Sequence, residues 1–312
     1  MKTQGLWAAH LGMLIWALLV GLSFPAVGLL SEGLPPLLLT ALRFAIAALA
    51  VLPLVWGAPG LKPSRQGAWL YALMGLCLAG FFGTMFWAAH RTTALSMATL
   101  YVSVPLLAYG LGRFLSVEQR ALSLLALLAL GAFGALGLAW AEADGDLTRM
   151  QFGLGEAAFF VGCLASALYP VLSKFGLMRG WLSPHAGVRT LWSLVLGGVL
   201  IALLGLIFNH PNAMARMTLS DLALVTYLGL FSSGVTFWLQ QRATATLTPA
   251  AVTAYGYLVP FVSMLLLFLQ APEVLSPRWL PGSVMVILAI LLLLRRDVRM
   301  RRDVEVPSRA RS

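Results

Sequence analysis

The sequence predicts an all-α integral membrane protein, with ten transmembrane helices arranged as two inverted five-helix repeats around a central cavity. Three observations predict it. The first is polarity. Of 312 residues, 60% are hydrophobic and 10% are charged, and the mean hydropathy is +0.88. A soluble domain carries about 25% charged residues. A chain this poor in charge cannot cover itself with polar groups, so lipid is its solvent. The second is the presence of ten apolar stretches, most of them close to the roughly 20 residues that a helix needs to cross hydrocarbon. The third is a motif written twice. Gly83-x-x-Phe86-Trp87-x-x-x-Arg91-x-Thr93-Ala94 recurs as Gly234-x-x-Phe237-Trp238-x-x-x-Arg242-x-Thr244-Ala245, about half the chain later.

The first stretch, 6–30, follows a single Lys2. A cleaved leader has an apolar core of about 7–15 residues, so this longer run is expected to stay as a span. The other stretches are 37–57, 67–90, 94–115, 120–141, 154–177, 184–208, 219–244, 248–270 and 279–295. None alternates polar with apolar residues as a barrel strand does. A helix satisfies its own backbone in hydrocarbon, so each stretch reads as one. Breakers such as Glu32-Gly33-Leu34-Pro35-Pro36, Gly57-Ala58-Pro59-Gly60 and Ala271-Pro272-Glu273 mark loops. The longest break, 142–153, holds Glu142, Asp144, Gly145, Asp146 and Arg149. It separates a first repeat, 1–145, from a second, 150–296, and leaves a basic tail, 297–312. Arg295, Arg296, Arg299, Arg301, Arg302, Arg309 and Arg311 crowd that end. They read as a cytoplasmic segment drawn to anionic lipid rather than to nucleic acid.

Ten spans put both termini on one side. If that side is cytoplasmic, the inner loops hold Lys62, Arg65, Arg113, Arg120, Lys174, Arg179 and Arg242, and the outer loops only Arg91, Arg149, Arg216 and Arg278. That asymmetry favours both termini inside. An odd number of spans per half makes the second half enter from the opposite face, so the pseudo-two-fold axis lies in the membrane plane. Such a pair suits alternating access. Weaker matches extend the repeat: Pro25 with Pro170, Arg43 with Arg189, Val104-Pro105 with Val259-Pro260, and Glu118 with Glu273.

No phosphate-binding loop, metal-spaced Cys/His cluster or nucleophile elbow is present, so neither an enzyme nor a cofactor is expected. Cys77 and Cys163 lie inside apolar runs and are too few for a disulfide scaffold. The 11 acidic residues fall almost entirely in loops or near segment ends. The usual intramembrane relay for a coupled pump is thus missing, and uncoupled facilitated transport is expected.

Trp7, Trp56, Trp69, Trp140, Trp181 and Trp279 sit at segment ends, as an interfacial belt requires. Trp16, Trp87, Trp192 and Trp238 lie deeper. His90 follows Trp87 by three residues and Gln241 follows Trp238 by three, which puts a polar group on each aromatic face. These pairs read either as symmetry-related gates or as helix ends marked by Arg91 and Arg242. Pro25, Pro105, Pro170 and Pro260 each free the carbonyl four residues earlier, of Gly21, Tyr101, Ser166 and Gly256. Those carbonyls either accept from a substrate ammonium or mark kinks repaired by neighbours. Arg43 and Arg189 lie inside their segments, and snorkelling, a structural pairing and a substrate carboxylate are all open readings. The expected cavity wall is Trp16, Phe24, Trp87, Tyr101, Tyr169, Trp238, Tyr255 and Tyr257, with His90, Ser103 and Gln241 as polar contacts.

Ten spans, two five-span halves and paired internal prolines resemble the drug/metabolite transporter superfamily, and within it the EamA-type family. The His90 position and the aromatic-rich fourth and ninth segments make the chain most similar to bacterial aromatic amino acid exporters. The resemblance implies that spans 1, 3, 4, 6, 8 and 9 surround the cavity while spans 5 and 10 pack outside. It also implies an inner-membrane exporter of amino acids, aromatic and other neutral ones first, and of related small metabolites. A proton-coupled multidrug or other metabolite transporter of the same fold is the alternative. The implied partners are a small-molecule substrate and the bilayer, and the sequence does not give the oligomeric state.

Overall fold

The computed structural model describes residues 2–143, 146, 153–270 and 276–309, and every regular element among them is a helix. Asp144, Gly145, Arg149, the Ala271-Pro272-Glu273 break and Arg311 lie outside the described residues, as do the side chains of Arg301, Arg302 and Arg309.

Ten helical segments among the described residues are long and apolar enough to cross a membrane. Spans 1 to 5 are Gly5–Gly28, Pro36–Val55, Arg65–Ala89, Ala94–Phe114 and Leu122–Glu142. Spans 6 to 10 are Leu154–Met178, Ala186–Phe208, Leu219–Thr246, Pro249–Leu269 and Trp279–Met300. Local chemistry sets many of the ends. Ser64, Thr93, Thr218 and Thr248 are N-caps whose side chains accept a backbone N–H. Pro36 and Pro249 stand at first positions, where a missing N–H costs nothing. The last helix does not stop at the bilayer but runs Trp279–Arg309, so the basic tail begins as helix.

The four internal prolines behave in two ways. Span 4 breaks at Val102 and Ser103 into Ala94–Tyr101 and Val104–Phe114, with Pro105 just inside the new helix. Span 9 passes from Pro249–Ala254 through a tight turn, Tyr255–Tyr257, into Leu258–Gln270, with Pro260 in its first turn. Spans 1 and 6 run as helix through Pro25 and Pro170. Span 8 carries a π-helical stretch, Leu228–Val235, between α-helical Leu219–Tyr227 and Thr236–Thr246. A π turn is rare and recurs near functional sites.

The packing is duplicated. The most extensive pairings are 3 with 6, 5 with 10, 2 with 7, 3 with 7, 2 with 8, 1 with 8, 4 with 6, 1 with 9 and 4 with 9. Exchanging each span for its mate five places on maps this set onto itself. Pairs 5–10, 2–7 and 4–9 are their own images, while 3–6, 3–7 and 4–6 become 8–1, 8–2 and 9–1. Because each half has five spans, the exchange reverses direction across the bilayer, so the repeats are inverted.

Spans 5 and 10 meet on small residues. A Cβ added to Gly134 would lie 2.8 Å from Val286 Cγ2 and 2.9 Å from the Gly282 carbonyl. One added to Gly282 would lie 2.8 Å from the Gly134 carbonyl. The glycine face of span 5 therefore has an internal partner. One apolar core joins spans 1, 5, 9 and 10 around Met13, Leu128, Tyr255 and Val286. A second joins spans 2, 3, 6 and 7 around Phe44, Met74, Tyr169 and Leu194. Span 8 feeds both, through Ala243 and Phe237.

Candidate functional site

The two ends of the bundle differ. Where spans 8 and 9 turn, a polar cluster is sealed from solvent. The Gln241 Oε1 accepts from Ser173 Oγ at 2.6 Å and from Arg189 Nε at 3.0 Å. Its Nε2 donates to the Tyr169 hydroxyl at 2.8 Å, and its backbone carbonyl accepts from Arg189 Nη2 at 2.6 Å. Arg189 Nη1 donates to the Ser183 carbonyl at 2.6 Å. Tyr169 and Ser173 are one turn apart on span 6, so they present one face to span 8. Lys174 then closes the corner. Its Nζ donates to the carbonyls of Thr244, Ala245 and Leu247 at 3.1, 3.3 and 3.1 Å. A cation at these last carbonyls also meets the negative end of the helix dipole. Spans 6, 8 and 9 are packed together here.

The end where spans 3 and 4 turn is built from the repeat mates of those residues and lacks that cluster; Thr92 donates to Glu156 at the start of span 6, but the mates themselves stand apart. Phe24, the mate of Tyr169, is 59% exposed where Tyr169 is 2% exposed. His90, the mate of Gln241, is exposed where Gln241 is fully buried. Span 1 has no packing against spans 3 and 4 comparable to that of span 6 against 8 and 9. Trp87 is 39% exposed and Trp238 half-buried. Each carries the arginine of its own motif over its ring, Arg91 at 4.1 Å and Arg242 at 5.4 Å from the centroid. The i, i+4 spacing of the motif therefore makes a cation–π pair at each helix end.

Between the ends runs a series of rings. Tyr101 packs on Phe81 at 5.9 Å, Phe81 on Phe82 at 5.2 Å and Phe82 on Phe44 at 5.4 Å. Phe44 meets Phe237 at 5.6 Å, and Phe237 meets Tyr169 at 5.9 Å. Sequence reasoning named Tyr101 and Tyr169 but missed the phenylalanines that join them. The Phe81-Phe82-Gly83-x-x-Phe86 run was the available signal, since it crowds aromatics around the first motif glycine.

The other expected residues fall elsewhere. Trp16 is half-buried on span 1 against the first core. Ser103 turns its hydroxyl back onto the Leu100 carbonyl at 2.6 Å, within the break of span 4. Tyr255 is held between spans 1 and 9 by His10, whose Nδ1 lies 2.6 Å from its hydroxyl. His10 Nε2 is 3.7 Å from Asp297 on the last helix. A histidine inside the first apolar run was the sign of this junction. Tyr257 is buried against Gly131 of span 5. A cavity of about 220 Å³ lies between the ends of spans 4 and 5, lined by Thr93, Ala94, Leu95, Ala98, Ala139, Glu142 and Ala143. Thr93 and Ala94 of the first motif copy line it, but none of the residues expected as cavity wall or polar contacts does.

Glu118, in the loop between spans 4 and 5, is buried, and its Oε2 accepts from the Ala250 N–H at 3.4 Å. Burial holds its carboxyl above the usual range, partly offset by hydrogen bonds from Thr248 and Ala250 and by the charge of Arg296. It ties the first half to the start of span 9. Among the described residues, no three His, Cys, Asp or Glu side chains are grouped to hold a metal.

Comparison with known proteins matches this architecture. The profile of the EamA-like transporter family fits residues 7–140 and again 153–295. A probable terminal-alkyne amino-acid exporter of Streptantibioticus cattleyicolor is 27% identical, over 98% of this chain and 99% of its own. An uncharacterized inner membrane transporter of Escherichia coli, YedA, is 25% identical over 88% of this chain and 87% of its own. A solved crystal structure superposes with a TM-score of 0.75 at 20% identity, covering 95% of this chain and 99% of that one, which speaks for the fold alone.

Proposed function

From the premise that the chain belongs to the EamA-like transporter family, we propose that it exports neutral amino acids, aromatic ones first, across the bacterial inner membrane. The observation that carries this reading is the opposite burial of repeat-related residues at the two ends. A bundle with one end sealed and its mate open has the form of one state of an alternating-access cycle. Similarity along nearly the full length to a probable amino-acid exporter supports the substrate class. The ring series from Tyr101 to Tyr169 offers aromatic faces to an apolar side chain.

In this reading both termini are cytoplasmic, the basic tail lies on anionic lipid, and the halves 1–145 and 150–296 rock about the rings. Opening the sealed end separates Gln241 from Tyr169 and Ser173. Closing the other draws Phe24, Trp87 and His90 together. The movement is facilitated and uncoupled.

Counterflow of labelled phenylalanine, tryptophan and leucine in proteoliposomes tests this. Exchange of the aromatic amino acids without a proton gradient is expected. Flux that strictly requires the gradient overturns the uncoupled mechanism, and folded protein that moves no amino acid overturns the substrate class.

A further inference from the structure

Arg43 is the repeat mate of Arg189, yet its surroundings are the reverse. Arg189 spends Nε, Nη1 and Nη2 on good acceptors. Arg43 reaches only two serine hydroxyls, Ser232 and Ser233, with Nη2 at 3.3 and 3.4 Å. Its Nε is sealed from solvent and has no hydrogen-bond partner among the described residues. No acidic side chain pairs with it among those residues. It sits about 10 Å along span 2 from Pro36, and it turns toward span 8 rather than away from its neighbours. Snorkelling therefore does not describe it.

A guanidinium has five donors in a planar fork that matches a carboxylate. Arg43 is partly exposed, but leaving its sealed Nε donor unmet is costly, and a site kept in that condition is one that a ligand completes. The local build supports this. The two serines lie in the π-helical stretch of span 8. Gly229 lets that stretch approach closely, since a Cβ there would lie 3.0 Å from the Arg43 carbonyl and 3.0 Å from Ile46. Both hydroxyls can rotate to donate to an incoming anion. The next residue, Phe44, is edge-on to Phe82 and Phe237 in the ring series.

We infer that Arg43, with Ser232 and Ser233, forms a carboxylate-binding subsite that orients the substrate with its side chain along the rings. This rests on the transport reading above and deepens it. The carboxylate accepts from the guanidinium fork and from the serine hydroxyls, and no covalent step is involved.

The test compares phenylalanine with phenylalaninamide, which lacks the carboxylate, as competitors of labelled phenylalanine in proteoliposome counterflow. Wild type is expected to prefer phenylalanine by about 10–100-fold, as a lost hydrogen bond to a charged group implies. Arg43→Gln should weaken phenylalanine to the level of the amide and leave the amide unchanged. Arg43→Lys should recover part of the preference, because charge returns without the fork. Ser232→Ala with Ser233→Ala should lose several-fold. Equal competition by the two probes in wild type, or equal weakening of both by Arg43→Gln, overturns the subsite. Should wild type move no amino acid, the transport reading falls alone. Thermal unfolding in detergent then decides the subsite, with 3-phenylpropionate and 2-phenylethylamine as probes. Stabilisation by the carboxylate only, lost in Arg43→Gln, supports it, and stabilisation by neither or by both alike overturns it. If Arg43→Gln does not fold, Arg43→Lys and the paired serine variant carry the same comparison.

Discussion

Charged and polar side chains among hydrocarbon are decided one by one, by what each can reach. A guanidinium at the centre of a span costs roughly 2.5–3.5 kcal/mol on insertion scales. Arg189 stands in the first turn of span 7, where the cost is lower, and meets it with the side chain and carbonyl of Gln241 and the carbonyl of Ser183. The sequence shows that Gln241 follows Trp238 by one turn. It does not show that a neighbouring span brings an arginine to the same place, because such a contact depends on how helices are rotated about their axes. Glu118 was legible as a loop carboxylate, but its burial was not, since that is set by the approach of span 9. Its raised value has a definite sign. Folding favours the protonated form, so its contribution is fully present below the unfolded value, about 4.3, and is lost as pH rises through the folded one. Glu118→Gln stays neutral throughout and keeps the contact to Ala250. Melting in detergent at pH 4 and pH 8 should therefore show parity with wild type in acid and equal or higher stability at pH 8. A variant that is less stable only at pH 8 would mean that the ionised carboxylate is the favoured form.

At the scale of the helix, glycine and proline had to be placed before they could be understood. The face Gly131, Gly134 and Gly137 reads as a site of close approach. The sequence cannot name its partner, because a small-residue face fits any other of its kind. The structure supplies Gly282 and Val286 of span 10 for Gly134, Gly282 again for Gly137, and Tyr257 of span 9 for Gly131. Gly134→Leu must push Val286 and the Gly282 backbone apart, at a cost of about 1–3 kcal/mol or more. Lower thermal stability in detergent is expected, with Gly110→Leu, which faces open space, as the control. Equal melting of the two variants would sink the seam. The prolines were legible as four matched positions, but not as two breaks and two continuous helices. Ser103 and Tyr255–Tyr257 accompany the breaks, whereas Pro25 and Pro170 lie within long regular helices that continue past them.

At the scale of the molecule, ten spans and the duplication were legible because composition and an odd count per half leave little choice. Which end is shut was not. Two copies of one unit specify a pair of mirrored states, and only differences between the copies select one. Those differences are chemical: Tyr169 and Gln241 hydrogen-bond at the sealed end, while Phe24 and His90 stand in their places at the other. Labelling by a membrane-impermeant maleimide, with Cys77 and Cys163 removed, reads this directly. Phe24→Cys should react in the resting protein and Tyr169→Cys should not, until substrate cycling exposes it. Comparable reaction at both positions at rest would contradict the asymmetry.

The final helix supplies a practical ruler. Its 31 residues extend roughly 46 Å at 1.5 Å per residue, against a hydrocarbon thickness of about 30 Å. A rod that long projects roughly 16 Å beyond the acyl chains if it stands upright. A fluorophore fixed near Asp303 would then sit among headgroups and water, so its quenching by lipid-borne or aqueous agents would gauge how far the bundle tips as it works.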